Sequence, residues 1–199
     1  MSLKRVVSLL PSATEILSVI PGGTPMLVGR SHECNWPGEI THLPILTGQK
    51  TSFSSAAETD AQVSSMLASG ESLYTIDDSL IESLRPDLIL TQDICSVCAI
   101  DLPSVERLAG RMQKTQGFTP EILSLNPQGL RDVLDDVVRV GEMVGLAAEA
   151  EKAKNKLMNR RAAGEGAKKG SSQSVAFIEW PEPLYIGGHW TPKMIELAG

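Results

Sequence analysis

Short apolar runs alternate with stretches of helical spacing along almost the whole chain, and this alternation is what most narrows the fold. Arg5–Leu10 reads as a buried strand that runs into Pro11-Ser12-Ala13-Thr14-Glu15. There Ser12 and Glu15 have capping-box spacing for a helix ending near Ile20. Pro21-Gly22-Gly23 stops that helix, and Met26–Gly29 is a second short strand. Arg30–Ser55 is a long polar connection, and Val63, Met66 and Leu67 give Thr59–Ser69 a helical stripe. Leu73–Ile76 is a strand, Asp77 caps a helix to Leu84, and Arg85-Pro86 leads into the strand Asp87–Thr91. Pro103–Lys114 is helical and Glu121–Leu125 is the next strand. Strand and helix in alternation predict an α/β fold, a layered lobe around a mainly parallel sheet.

Asn126-Pro127 then opens the longest helical stretch, through Arg161, with Val133, Leu134, Val137, Val138, Val140, Val144, Leu146 and Leu157 as its apolar positions. At about 1.5 Å per residue such a helix spans roughly 50 Å, longer than one small domain, so it reads as a strut between two lobes. The acidic pair Asp135-Asp136 reads as the solvated face of that helix. Gly164–Ser172 has the composition of a flexible linker. Val175–Trp180 is one more strand, and His189-Trp190-Thr191-Pro192 opens a last helix. The expected organisation is an N-terminal lobe over 1–126, a connecting helix over 127–163, a linker over 164–173 and the start of a second α/β lobe over 174–199.

Composition removes several functions. The chain has 199 residues, 42% hydrophobic and 21% charged, with a net charge of −6. An acidic chain of globular composition is a poor partner for nucleic acid or an anionic membrane, which need a basic face. Three cysteines do not make a disulfide framework. The apolar run after Lys4-Arg5 is broken by Ser8 and stopped by Pro11, too short for a signal h-region. No window approaches a membrane-spanning length. As written the chain reads as cytoplasmic, with an extracytoplasmic place if a signal has been removed. No G-x-G-x-x-G, P-loop or G-x-S-x-G is present, so nucleotide binding and serine-hydrolase chemistry lack their motifs.

Three segments could carry chemistry. His32-Glu33-Cys34-Asn35-Trp36 follows the second strand, at the sheet edge where open α/β folds bind ligands. Asp93-Ile94-Cys95-Ser96-Val97-Cys98 also follows a strand and contains a Cys-x-x-Cys pair. Glu179-Trp180-Pro181 with Gly188-His189-Trp190 places broad rings in a Gly/Pro-rich turn, suited to a stacking wall for a large planar ligand. Each segment also has a plainer reading as packing. His32, Cys34, Cys95 and Cys98, with His189 in reserve, could alternatively hold a zinc ion or act as a thiol redox centre.

In this order the segments resemble the substrate-binding proteins of vitamin B12 and iron-siderophore ABC importers, closest to a cobalamin-binding subgroup. The stretches that carry the resemblance are Arg5–Glu15, Leu27–Pro37, Leu84–Leu90 and Trp180–Leu197. It implies three-layer α/β lobes joined by a long helix, with the ligand gripped between facing edges. His32, Glu33, Cys34, Asn35, Trp36, Asp93, Cys95 and Cys98 would form one wall, and Trp180, His189 and Trp190 the other. The resemblance thus implies a non-enzymatic binder with a cobalamin or metal chelate as ligand, no required cofactor, and a membrane permease as partner. Two further readings stand beside it: the thiol/histidine metal or redox protein, and an interaction module that keeps the fold without a ligand. If Gly199 is the real end, the second lobe has one strand and one helix, and Val175, Phe177, Ile178, Trp180 and Ile186 should be exposed. That predicts either mobility beyond Gly164 or pairing into a homodimer through this patch.

Overall fold

Four of the apolar runs become one parallel sheet. The computed structural model describes residues 3–94, 100, 102–165 and 174–198. In chain order the elements are β1 (Val6–Ser8), α1 (Pro11–Val19), β2 (Leu27–Gly29), β3 (Thr47–Gln49), α2 (Ala56–Ser69), β4 (Tyr74–Ile76), α3 (Asp78–Leu84), β5 (Leu88–Thr91) and α4 (Leu102–Gln116). There follow β6 (Glu121–Ser124), α5 (Leu130–Met143), α6 (Ala147–Glu165), β7 (Ile178–Pro181), β8 (Leu184–Ile186) and α7 (Thr191–Ala198). The main sheet has the order β2-β1-β5-β6, with every neighbouring pair parallel. Val6, Val7, Leu88, Ile89 and Leu90 are fully buried, as strands covered on both faces require.

Alternation along those strands divides the core in two. Val6, Leu88 and Leu90 pack against Ala13, Ile16 and Leu17 of α1, Val137 and Val140 of α5, and Ala150 and Ala153 of α6. Val7 and Ile89 point the other way, onto Ile81 of α3 and Val105, Leu108 and Met112 of α4. The lobe is therefore a three-layer α/β sandwich, as expected. Arg111 bridges Asp78 and Glu82 at 2.6 Å each and ties α4 to α3 on the surface.

Several local readings change. Helix α1 begins with Pro11 at its first turn and Leu10 as a cap without a side-chain bond, so Ser12 and Glu15 form no capping box; the fixed φ of proline starts the helix instead. Asp77 caps α3 as read, accepting from Leu80 N–H at 2.9 Å. The polar connection 30–55 contains β3, which pairs antiparallel with β4.

The largest correction concerns the expected strut over 127–163, which is two helices folded back on each other. Gly145 takes φ +77° between them, and Leu146 N–H donates to Gly141 C=O at 2.7 Å. This is the six-to-one bond of a Schellman stop. Lys154 then meets Asp135 at 2.6 Å, whereas a straight helix would hold them roughly 28 Å apart. Close approach is possible because Gly141 has no Cβ: one built there would lie 2.2 Å from Ala150 Cβ. The linker expected over 164–173 overlaps the end of α6, and its positions 166–173 lie outside the described residues. Beyond it the single expected strand is an antiparallel hairpin, β7–β8, followed by α7.

Candidate ligand cleft

The carboxyl ends of the parallel strands open onto one side of the lobe, and the loops that leave them line a cleft of about 380 Å³. Ser12 follows β1, Gln92 and Ile94 follow β5, and Leu125 and Pro127 follow β6. Helix α1 adds Glu15, Ile16 and Val19, α5 adds Val133, Asp136 and Val137, and α6 adds Leu157. Trp190, from the turn before α7, completes the wall. Asn126 fixes the rim by accepting from Asp93 N–H at 2.8 Å and from the Ser124 hydroxyl at 3.3 Å. The walls are mostly aliphatic, with Ser12, Glu15, Gln92 and Asp136 as the polar groups, the composition expected of a small-molecule pocket.

Asp136 is the unusual member. The residue is 3% exposed, so its place on a solvated helix face is corrected; Asp135 next to it holds the exposed position and pairs with Lys154. Arg139 Nη1 donates to Asp136 Oδ1 at 2.6 Å, and Oδ2 is buried with no hydrogen-bond partner. Burial pushes its carboxyl above the usual 3.8, outweighing the pull of Arg139 in the other direction. It lies on the buried face of α5 with Leu134, Val137 and Val140, and its residue type gave no sign of that.

The loop after β2 is built differently from its expectation. Arg30, itself buried, donates to the carbonyls of Cys34 at 2.9 Å, Ser31 at 3.3 Å and Thr41 at 2.9 Å. Sequence reasoning passed over this guanidinium, which organises the whole turn. Cys34 is fully buried in the core on the α1 side, its Sγ 3.1 Å from Thr14 Oγ1. Burial raises its thiol pKa above the usual 9.0, which disfavours the thiolate that metal binding or redox chemistry uses. His32 turns to the other side of the sheet. Its Nδ1 lies 2.7 Å from Thr47 Oγ1 and its ring centroid 5.9 Å from that of Tyr74. With Glu33, Ser31, Leu9 and Ile100 it borders a hollow of only about 10 Å³. His32 and Cys34 therefore do not converge, and among the described residues no group of three His, Cys, Asp or Glu is placed to hold a metal. Cys95 and Cys98 lie outside the described residues.

Of the remaining candidates, Glu33, Asn35, Trp36 and Asp93 are exposed and do not line the cleft. Trp180 is half-buried away from it, its Nε1–H donating to the carbonyls of Ala56 at 3.1 Å and Glu182 at 3.0 Å. His189 is exposed with φ +50°. Trp190 alone of the described sequence candidates lines the cleft.

The chain shares its fold with part of several solved periplasmic binding proteins. The periplasmic vitamin B12 binding protein of Vibrio cholerae superposes with a TM-score of 0.64 at 20% identity, over 99% of this chain and 64% of its own. A possible iron-binding, periplasmic solute-binding protein from Staphylococcus epidermidis gives 0.66 at 17% identity, over 100% and 66%. The periplasmic heme-binding protein of a Roseiflexus species gives 0.62 at 18% identity, over 89% and 55%. The chain thus spans between about half and two thirds of the length of these structures. No protein-family model and no curated protein matches it. Among the described residues, no helix is long and apolar enough to cross a membrane.

Proposed function

We propose that the chain acts as a substrate-binding protein of an ABC importer, a non-enzymatic carrier that takes a cobalamin-type molecule or another metal chelate on the extracytoplasmic side and presents it to a permease. The observation that carries this reading is the cleft at the carboxyl edge of the parallel sheet, with Trp190 as its wall from the second part of the chain. Open α/β sheets bind at that edge, and an indole against aliphatic walls suits an amphipathic ring. The solved structures of similar fold, whose own ligands include haem and vitamin B12, support the same class.

Titration with cobinamide, cobalamin and haem, followed by absorbance and calorimetry, tests the reading. The expected result is saturable binding of at least one of them, tighter than about 100 µM, and weakened about tenfold or more by Trp190→Ala. Binding of none at that level, or binding indifferent to Trp190→Ala, would overturn it.

A further inference from the structure

The charge of the cleft restricts the ligand further, and the argument rests on the cleft being the binding site. Among the described residues that line it, the ionisable groups are two carboxylates, Glu15 and Asp136, and no Lys, Arg or His. Arg139, the partner of Asp136, lines a neighbouring hollow with Ser124, Asn126, Asp132 and Asp135 and does not reach the cleft. Its bond goes to Oδ1, which leaves Oδ2 as a buried acceptor without a donor, in a residue that borders both spaces. A carboxylate oxygen held in an apolar wall without a partner is costly. The same low-dielectric surroundings strengthen any bond it does make.

We propose that the cleft selects an amphipathic cation, a molecule whose protonated nitrogen is taken by Asp136 Oδ2 and whose apolar body lies among Ile16, Val137, Leu157 and Trp190. Glu15 adds to the negative potential at the exposed side of the cleft, and the Trp190 ring face attracts positive charge as well. A ligand bearing carboxylates would meet Glu15 and a buried oxygen of Asp136, with Arg139 engaged on the far oxygen and no other cation among the described residues lining the cleft, so anionic chelates are disfavoured. The selection is a difference between charge types on one skeleton, set by repulsion as much as by attraction.

A matched series tests this at about pH 7.5: 4-phenylbutylamine, 4-phenylbutanol and 4-phenylbutanoate, titrated by heteronuclear NMR. The amine should bind at least about tenfold tighter than the acid, with the alcohol between them. Shifts should centre on Gln92, Val133, Val137 and the Trp190 indole. Asp136→Asn, which keeps the shape of the side chain, should bring amine and acid within about threefold. Should that variant fail to fold, Glu15→Gln at the exposed position should still lower the amine preference by about twofold to fivefold. Acid bound as tightly as amine, or a preference untouched in every folded variant, overturns the inference. If cobinamide binds through Trp190 while the amine shows no advantage, the cleft stands and its charge selection falls. If cobinamide, cobalamin, haem and all three probes fail together, the cleft reading itself falls.

Discussion

Asp136 and Cys34 are both polar groups driven into the core, and they differ in what surrounds them. The Cys34 thiol tolerates burial because it stays neutral and meets the Thr14 hydroxyl. Asp136 has one oxygen bound by Arg139 and one left over, so its charged form is the disfavoured one. The consequence for stability has a definite sign. Below the unfolded carboxyl value near 3.8 both states hold the proton and no cost exists. As pH rises past that value the unfolded chain releases its proton more readily, and the folded state loses stability until Asp136 ionises there too. Asp136→Asn removes this dependence. We therefore expect the variant to gain on the wild type between about pH 3.5 and pH 7 when guanidinium midpoints are compared. A constant difference across that range would show that the buried carboxylate carries no net penalty. A group held at a cost to folding, beside a cleft, is where a ligand contact is to be sought, and this is the physical link between the stability measurement and the amine series.

At the scale of elements, Gly141 and Gly145 together decide the shape of the helical layer. Gly145 supplies the left-handed residue that ends α5, and Gly141 lets α6 lie close enough for Ala150 to enter the same core. Gly141→Ala forces its methyl onto Ala150, where neither helix has room to give. We expect a loss of about 1–3 kcal/mol, read as a fall in Tm, although alanine is the better helix former. An unchanged or raised Tm would mean that the two helices are not held in this contact. The same elements show what could be read without a structure. β1 and β5 were legible because their apolar runs are buried on both faces and bounded by turn residues. The αα turn was not, because apolar positions at helical spacing continue from Val133 to Leu157, and isolated glycines such as Gly141 and Gly145 inside such a pattern do not announce a reversal. β3 and β8 escaped notice for a related reason: Thr47–Gln49 and Leu184–Ile186 are short, and Leu184–Ile186 follows a proline directly. Of the site, the placement at strand ends followed from the βα pattern, and Trp190 from its ring. Asp136 and Arg30 were not legible because no periodic pattern marks a charged side chain as buried, even though their partners, Arg139 and the carbonyls of Ser31, Cys34 and Thr41, lie close in sequence.

Among the described residues the hairpin β7–β8 meets the first part of the chain through few contacts, while α7 packs against α6. Trp180 reaches the Ala56 carbonyl, and the Tyr185 hydroxyl donates to Asp60 Oδ1 at 2.9 Å, both on α2. That helix has no buried residue of its own, so it offers a weak platform. On the hairpin, Ile178, Leu184 and Ile186 remain 53%, 62% and 72% exposed, as does Val175 at 67%; of the residues expected to be open, only Trp180 finds partial cover. Two hydrogen bonds at about 1 kcal/mol each, with little apolar burial behind them, hold β7–β8 far less firmly than the core holds the main sheet. The hairpin should therefore open locally at a small fraction of the 5–15 kcal/mol, roughly, of a global unfolding event. Native-state hydrogen exchange followed by NMR checks this. Amides of Ile178–Ile186 should exchange at least about a hundredfold faster than those of Val7 and Leu88–Leu90, and Tyr185→Phe should quicken the hairpin alone by about fivefold. Equal protection in the two regions would show that the hairpin is part of one cooperative unit with the lobe. The functional stake is the position of Trp190, which lines the cleft from the turn before α7 and so depends on the packing of α7 against α6 rather than on the hairpin alone.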